Sequence, residues 1–243
     1  MPKPSPKHPR LADRDYEILN HVKRYHLSTR EVLHSLFFKE SELNAVTKVT
    51  SRLVENGFLN RYSLDSDKVY FVVGPATAKL YGISTKKCKS AGPQVLVENF
   101  AMLQFCCLGA FPRERLLIRE IEQKLGTLCG KHLQLGKHYL DTEGAKPRLA
   151  MMRIDHGSDP AHILRRARAQ IEASVKHPII AQLVKQQSYM MAIITSEQEK
   201  VIQIQDAILR QTWPLPFRVE AVPGLTAILA ANLQQRLRSS GEA

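Results

Sequence analysis

The sequence predicts an α+β protein built from two domains. Three helical patterns and then two short β-like runs occupy the first third of the chain, whereas helices and strands alternate in the remainder. A polar, turn-rich stretch at 84–93 predicts a linker between them. Three helices followed by a hairpin is the order of a winged helix-turn-helix, and the alternating part predicts a small mixed α/β domain.

The winged helix-turn-helix is predicted over residues 11–83. Asp13 is a suitable N-cap for the first helix, and Ser28 or Thr29 can cap the second. A third helix runs through 44–55 and stops at an Asn-Gly pair, a common C-terminal signal.

The third helix carries the strongest functional signal. Its outward face is polar and contains no carboxylate before Glu55: Asn44, Thr47, Lys48, Ser51 and Arg52. Asn pairs with adenine, Lys and Arg pair with guanine, and Thr or Ser bonds several groups. This stripe predicts a helix that binds double-stranded DNA, and the alternative is a solvated face on a domain that binds only proteins.

The two β-like runs, 58–64 and 69–73, predict a hairpin wing. Arg61 and Lys68 would lie near its strands and contact phosphates. Asp65 and Asp67 at the tip argue against insertion into the minor groove. We therefore expect the wing to position the protein and not to read bases.

The charge balance favours a polyanionic partner. The chain has 35 Lys and Arg against 23 Asp and Glu, a net charge of +12, and residues 1–90 hold 16 basic and 9 acidic groups. Neutralising phosphates releases counterions, so a basic domain binds nucleic acid favourably. A basic protein without a nucleic-acid partner is the alternative.

The chain ends and the cysteines bear on location. Residues 1–10 predict a basic, Pro-rich tail that could contact DNA weakly, and residues 233–243 predict a C-terminal tail. No apolar run reaches the roughly 20 residues of a membrane helix. The start lacks the apolar segment of a signal peptide, and the four cysteines suggest no disulfide framework. We expect a cytoplasmic protein with no membrane partner.

The α/β domain is predicted over residues 94–232. Helices are expected at 95–108 and 113–125, and strands at 132–140 and 148–154. The first of these helices would be part of the core or, alternatively, a dimer contact. Further along, the pattern alternates between helix and strand: a helix at 161–175, a strand at 188–195, a helix at 197–210 and a strand at 217–222.

Three segments of the chain resemble the replication-relaxation family of plasmids and integrative mobile elements. They are the runs Leu11–Leu19, Asn44–Leu53 and Tyr70–Pro75. The resemblance implies a winged helix joined to an α/β domain similar to restriction-endonuclease-like folds. It also implies a role in replication, maintenance, transfer or transcriptional regulation of a mobile element.

A nuclease of that kind needs two carboxylates for Mg²⁺ and a Lys two residues after the second carboxylate. Asp141 and Asp155 follow predicted strands, but Gly157 stands where the Lys is expected. Lys137 or His156 would have to substitute. Because this element is missing, the domain is predicted to be a degenerate, non-catalytic version of the fold, and a targeted metal-dependent nuclease is the alternative.

No other chemistry is indicated. The sequence lacks a phosphate-cradling Gly-rich loop and the spacing of a structural metal site, so we expect no cofactor and no metal. Arg165, Arg166 and Arg168 form a basic helix patch that is either a solvated face or a second phosphate-contacting surface. The expected partner is double-stranded DNA, with a homodimer on two half-sites or a larger mobile-element complex as further partners.

Overall fold

The computed structural model of the protein describes residues 10–65, 67–111, 113–125, 136–144 and 146–231. Contacts divide the chain into two compact units, residues 1–92 and 93–243. Helices and two separate sheets confirm the α+β class. Within the described ranges, no helix combines the length and the apolar character needed to cross a membrane.

Three helices open unit 1, as the sequence predicts: α1 (Asp13–Tyr25), α2 (Arg30–Phe37) and α3 (Leu43–Glu55). The predicted cap of α2 is confirmed, because Thr29 Oγ1 accepts a hydrogen bond from the Val32 N–H. An N-cap oxygen satisfies one of the backbone donors that the first turn leaves unpaired.

The start of α1 differs from the prediction. Asp13 is the first helical residue, and Ala12 occupies the N-cap position. Ala has no side-chain acceptor, so the first turn is stabilised from inside the helix: Asp15 Oδ2 accepts a 2.9 Å hydrogen bond from the Ala12 N–H. The predicted cap at Asp13 is therefore wrong, and Asp15 supplies the carboxylate.

The sheet of unit 1 contains the predicted hairpin, β2 (Leu59–Ser63) and β3 (Val69–Val73), and a short strand β1 (Ser28–Thr29). The order is β1-β3-β2, and both pairings are antiparallel. β1 was not predicted, because two residues show no periodicity.

The predicted linker at 84–93 is wrong over most of its length. After α4 (Pro75–Tyr81), residues Thr85–Cys88 form a 3₁₀ helix that returns to the sheet. The Cys88 carbonyl accepts hydrogen bonds from the Asn60 side chain at 2.8 Å and the Tyr62 hydroxyl at 2.9 Å. These tertiary bonds hold the polar stretch against the hairpin, so unit 1 extends to residue 92.

The core of unit 1 lies between the helices and one face of the sheet. Its buried side chains come from all of the α-helices and from the two hairpin strands, and they include Ile18, Leu19, Leu33, Val46, Leu53, Phe58 and Phe71. The apolar stripe of α3 is therefore used for packing, and this leaves its polar stripe outward.

The elements of unit 2 include, in chain order, α5 (Pro93–Cys107), β4 (Arg113–Arg115), α6 (Ile118–Leu125), β5 (His138–Asp141), β6 (Arg148–Ile154), α7 (Pro160–Ser174), α8 (Pro178–Lys185), β7 (Tyr189–Thr195), α9 (Gln198–Leu209) and β8 (Phe217–Ala221). Residues 225–231 are also helical. The sheet order is β4-β5-β6-β7-β8, antiparallel from β4 to β6 and parallel from β6 to β8.

Several predicted elements of unit 2 are confirmed, and one is wrong in part. Strands β6, β7 and β8 and helices α5, α7 and α9 lie within a residue or two of their predicted bounds. The predicted helix at 113–125 begins with a strand, because Arg113 and Arg115 pair with β5. Of the predicted strand 132–140, residues 132–135 lie outside the described residues, as does the predicted tail 233–243.

The core of unit 2 is built around the parallel strands. All seven residues of β7 are buried, and α7, α8 and α9 contribute apolar side chains to one cluster with the sheet. Most apolar residues of α5 are also buried, including Phe100, Leu103 and Phe105. The interpretation of α5 as a core helix is therefore confirmed.

Candidate nucleic-acid interface

The predicted polar stripe of α3 lies on the surface of unit 1. Asn44, Lys48 and Ser51 are exposed, and Thr47 is half-buried. Thr50, which is adjacent to them on the helix and lines the cleft described below, is buried, and its hydroxyl donates to the Val46 carbonyl at 2.9 Å. The packing of α3 thus fixes which side chains face outward, and four of the five predicted residues can meet a partner directly.

An open cleft connects α3 with the hairpin. It has a volume of about 240 Å³ and is bordered by Thr47 and Ser51 of α3 and by Arg61 of β2. Phe71, which is paired with Arg61 across the hairpin, forms part of its floor. Thr47, Ser51 and Arg61 were predicted as DNA-contacting residues on two separate elements. The tertiary structure places all three at one cleft.

Arg30 is a further cation at this cleft that the sequence analysis missed. It is the first residue of α2 and borders the cleft together with Thr47, Ser51 and Arg61. Its place next to α3 depends on the packing of two helices, so no local pattern in the sequence indicates it. Glu55, at the end of α3, is the carboxylate on the same rim.

Arg52 has a different environment from the rest of the stripe. Its Nη2 lies 2.6 Å from Oδ1 of Asp15, a carboxylate that is almost fully buried on α1. The Arg52 side chain itself is 41% exposed. Arg52 therefore ties α3 to α1, and its guanidinium is engaged before any partner arrives.

The hairpin turn explains one of the two acidic residues at its tip. Asp65 Oδ1 accepts backbone hydrogen bonds from Asp67 at 3.0 Å and Lys68 at 2.9 Å. Asp65 therefore builds the turn, as short polar side chains commonly do. The Lys68 side chain is exposed at the end of this turn, outside the cleft.

Unit 2 has its own cleft at the carboxyl ends of the parallel strands, where open α/β sheets usually bind ligands. Its volume is about 680 Å³, and it is bordered by His156, Arg166, Ser196, Glu197 and Thr226. Glu197 is the carboxylate among the lining residues. In the ranges that the structure describes, no three His, Cys, Asp or Glu side chains are grouped as metal ligands.

Asp155 lies beside this cleft, but its carboxylate already has hydrogen-bond and ion-pair partners in unit 2. It is 2% exposed and accepts hydrogen bonds from the backbone of Gly157 at 2.9 Å and Ser158 at 2.8 Å. Lys200 Nζ lies 2.6 Å from its Oδ2. Lys137 and His156, the predicted substitutes for the missing lysine, both lie against Glu98, at 2.7 and 4.0 Å.

Asp141 is almost fully buried and belongs to an ion-pair network. It accepts from Arg218 Nε at 3.0 Å and from the Tyr139 hydroxyl at 3.2 Å. Arg113, also buried, pairs with Glu220 and stacks on Phe105 with its guanidinium carbon 3.9 Å from the ring centre. Burial and the Asp141 charge raise the pKa of Tyr139, so its hydroxyl stays protonated as a donor. This network pairs the buried Arg113 and Asp141 with side chains of opposite charge, which gives both a structural role.

The two carboxylates predicted for a nuclease site do not meet. Asp141 is paired with Arg148 at the start of β6, whereas Asp155 follows the end of the same strand. At roughly 3.3 Å per residue, the two are about 20 Å apart, too far to share a metal ion. The pair named for the alternative of a metal-dependent nuclease is therefore not formed, because the register of β5 on β6 places Asp141 and Asp155 at opposite ends of β6.

Comparison of the chain with protein-family models, with curated proteins and with solved structures gave no match.

Proposed function

We propose that unit 1 is a winged helix-turn-helix that binds double-stranded DNA, with α3 as the recognition helix and the β2–β3 hairpin as the wing. The observation that carries the proposal is the shared cleft: Thr47 and Ser51 of α3 face Arg61 of the hairpin across it, with Arg30 on its rim. A row of short polar groups flanked by cations suits a groove edge between phosphates.

The chemistry of each side chain supports separate roles. Asn44 and Lys48, exposed on α3, can bond base edges in the major groove. Arg30, Arg61 and Lys68 carry charges suited to phosphate contacts, which set position but not sequence. Arg52 would contribute indirectly, by holding α3 on α1 through Asp15.

The biological role proposed for this binding is non-catalytic. The resemblance to the replication-relaxation family points to replication, maintenance, transfer or regulation of a mobile element, and that assignment stays a prediction. Under this proposal, unit 2 contributes to the protein–DNA complex and does not cleave DNA. The separation of Asp141 and Asp155 supports a non-catalytic unit 2.

Binding to duplex DNA tests the proposal. We expect the protein to bind a random-sequence 40-base-pair duplex with steep salt dependence, and to select particular sequences from a random duplex pool. Lys48→Ala should weaken binding to the selected sequence by about tenfold or more. Asn44→Ala should relax the selected sequence while leaving the salt slope of random-duplex binding unchanged.

Lys79→Ala is the matched control, since Lys79 is an exposed lysine on α4 of the same unit, away from the cleft. It should leave both the selected sequence and the affinity unchanged. If Lys79→Ala and Lys48→Ala weaken binding equally, α3 is not the DNA-reading surface. If the protein binds no duplex even at 50 mM salt, the proposal fails as a whole.

A further inference from the structure

The outward face of α7 in unit 2 carries three exposed arginines, Arg165, Arg166 and Arg168. Within the part of the chain that the structure describes, no carboxylate lies within ion-pair distance of any of them. Glu172 lies one turn beyond Arg168 on the helix, yet Arg168 bonds elsewhere. An ordinary surface helix would pair such charges at i, i+4.

Arg168 is held in a defined orientation by groups that leave its charge uncompensated. Its guanidinium carbon lies 4.2 Å from the centre of the Trp213 ring, and its Nη2 donates to Gln211 Oε1 at 2.9 Å. Trp213 is itself fixed, because its Nε1 donates to the Ile208 carbonyl at 3.2 Å. A guanidinium stacked in this way loses less conformational freedom when it binds a phosphate.

Arg165 contacts a histidine, and Arg166 lies beside another arginine. Arg165 Nη2 lies 2.8 Å from His162 Nδ1, and the carbonyl of Arg166 accepts from Arg153 Nη2 at 3.3 Å. Arg153 lies beside Arg166, and burial together with the Arg166 charge lowers the pKa of Arg153. The charges of Arg153 and Arg166 therefore repel one another, and a bound anion would relieve this repulsion.

We propose that this face of α7, defined by Arg165, Arg166 and Arg168, is a second nucleic-acid site that binds the phosphodiester backbone of duplex DNA without reading its sequence. Guanidinium groups bind phosphate oxygens bidentately and suit backbone contacts. The site goes beyond the function proposed for unit 1, since it assigns DNA binding to unit 2 as well.

Salt titration of the full chain on a random-sequence 40-base-pair duplex tests this site. The slope of log affinity against log salt is negative, and the triple variant Arg165→Gln, Arg166→Gln, Arg168→Gln should make it shallower by about 2 to 3, since each phosphate contact contributes roughly −0.9. The control is Lys146→Gln, Lys176→Gln, Lys185→Gln, which removes the same charge from exposed positions of unit 2. It should leave the slope within about 0.5 of the wild type.

Two outcomes would overturn the proposal: an unchanged slope in the arginine variant, or an equal loss in the lysine control, which would reduce the effect to net charge. If the triple variant fails to fold, the double variant Arg165→Gln, Arg166→Gln replaces it, because it keeps Arg168 on Trp213. The double variant should make the negative slope shallower by about 1 to 2. Loss of binding to phosphatidylserine vesicles with duplex binding retained would assign the face to membranes and contradict the proposal.

The failure of this site and of the α3 site can be told apart. Lys48→Ala, measured in the same titration, acts on unit 1 and should also alter the sequence selected from a random duplex pool. The arginine variant should make the salt dependence shallower and leave that selected sequence unchanged. A loss confined to one variant therefore rejects one surface and retains the other.

Discussion

Lys48 and Arg52 lie one turn apart on α3, yet they have different partners. Lys48 is exposed to solvent, whereas Arg52 is paired with the buried Asp15 carboxylate at 2.6 Å. Both residues fit the same helical stripe in the sequence. Only the packing of α1 beside α3 shows that Arg52 has a structural partner, Asp15.

Arg52→Ala is expected to reduce the free energy of unfolding by about 1 to 3 kcal/mol, because it leaves the Asp15 carboxylate buried without its cation. The half-exposed guanidinium and the remaining bond from the Ala12 N–H keep the loss at the lower part of that range. Urea denaturation measures it, with Lys48→Ala as the control, expected within about 0.5 kcal/mol of the wild type. Equal stability of the two variants would contradict the structural role of Arg52.

At the scale of elements, the junction of β3 and α4 is closely packed. Gly74 donates its N–H to the Phe58 carbonyl at 2.7 Å, and the Ala76 N–H donates to the Gly57 carbonyl at 3.0 Å. A Cβ at Gly74 would overlap the Gly57 carbonyl oxygen. The hairpin can therefore return to α4 only where residue 74 has no side chain.

Gly74→Ala should destabilise the protein by about 2 kcal/mol or more, because backbone atoms cannot move aside as a flexible side chain would. The melting temperature measures the effect. Gly92→Ala is the control: a Cβ there meets no atom within 4 Å, so that variant should melt within a degree or two of the wild type. A Gly74→Ala protein as stable as the control would show that this junction is loose.

Sequence periodicity predicted the elements whose pattern is local. The stripe of α3 and the alternation of the hairpin needed no distant contact to be recognised, and both are present. Strand β4 was predicted as helix, because Arg113 and Arg115 become buried only through pairing with β5 and contacts to Glu220 and Asn99. The 3₁₀ helix at 85–88 was predicted as linker for the same reason, since its partners lie some 25 residues back along the chain.

At the scale of the whole molecule, each unit contains a buried histidine. His21 on α1 bonds Ser28 Oγ at 3.0 Å, and His138 on β5 bonds the Tyr189 hydroxyl at 3.2 Å. Burial lowers the pKa of both to about 4 from an ordinary 6.5, with the Arg24 charge adding to the effect at His21. Both imidazoles are thus neutral in the folded protein at pH 7.

These histidines predict acid sensitivity. Below pH 6.5 these histidines bind protons in the unfolded chain but stay unprotonated in the folded protein. The free energy of unfolding is therefore highest above pH 6.5 and falls as the pH drops toward 4. The loss is up to about 3 kcal/mol per histidine. Urea denaturation at pH 7.5, 5.5 and 4.5 measures it, and the double variant His21→Gln, His138→Gln should show a shallower pH dependence. A double variant with the wild-type pH dependence would exclude the histidines as its cause.

Local patterns in the sequence were sufficient to predict the two-part α+β organisation and the polar face of α3, because helical and strand periodicities are local and depend on burial of one face. They also identified the basic run on α7. The folded structure was needed to show that Arg30 joins Thr47, Ser51 and Arg61 at one cleft, and that Arg52 is held by Asp15. It likewise placed Asp141 and Asp155 at opposite ends of β6. These outcomes depend on strand register and helix packing between residues far apart in the chain, which no local pattern encodes.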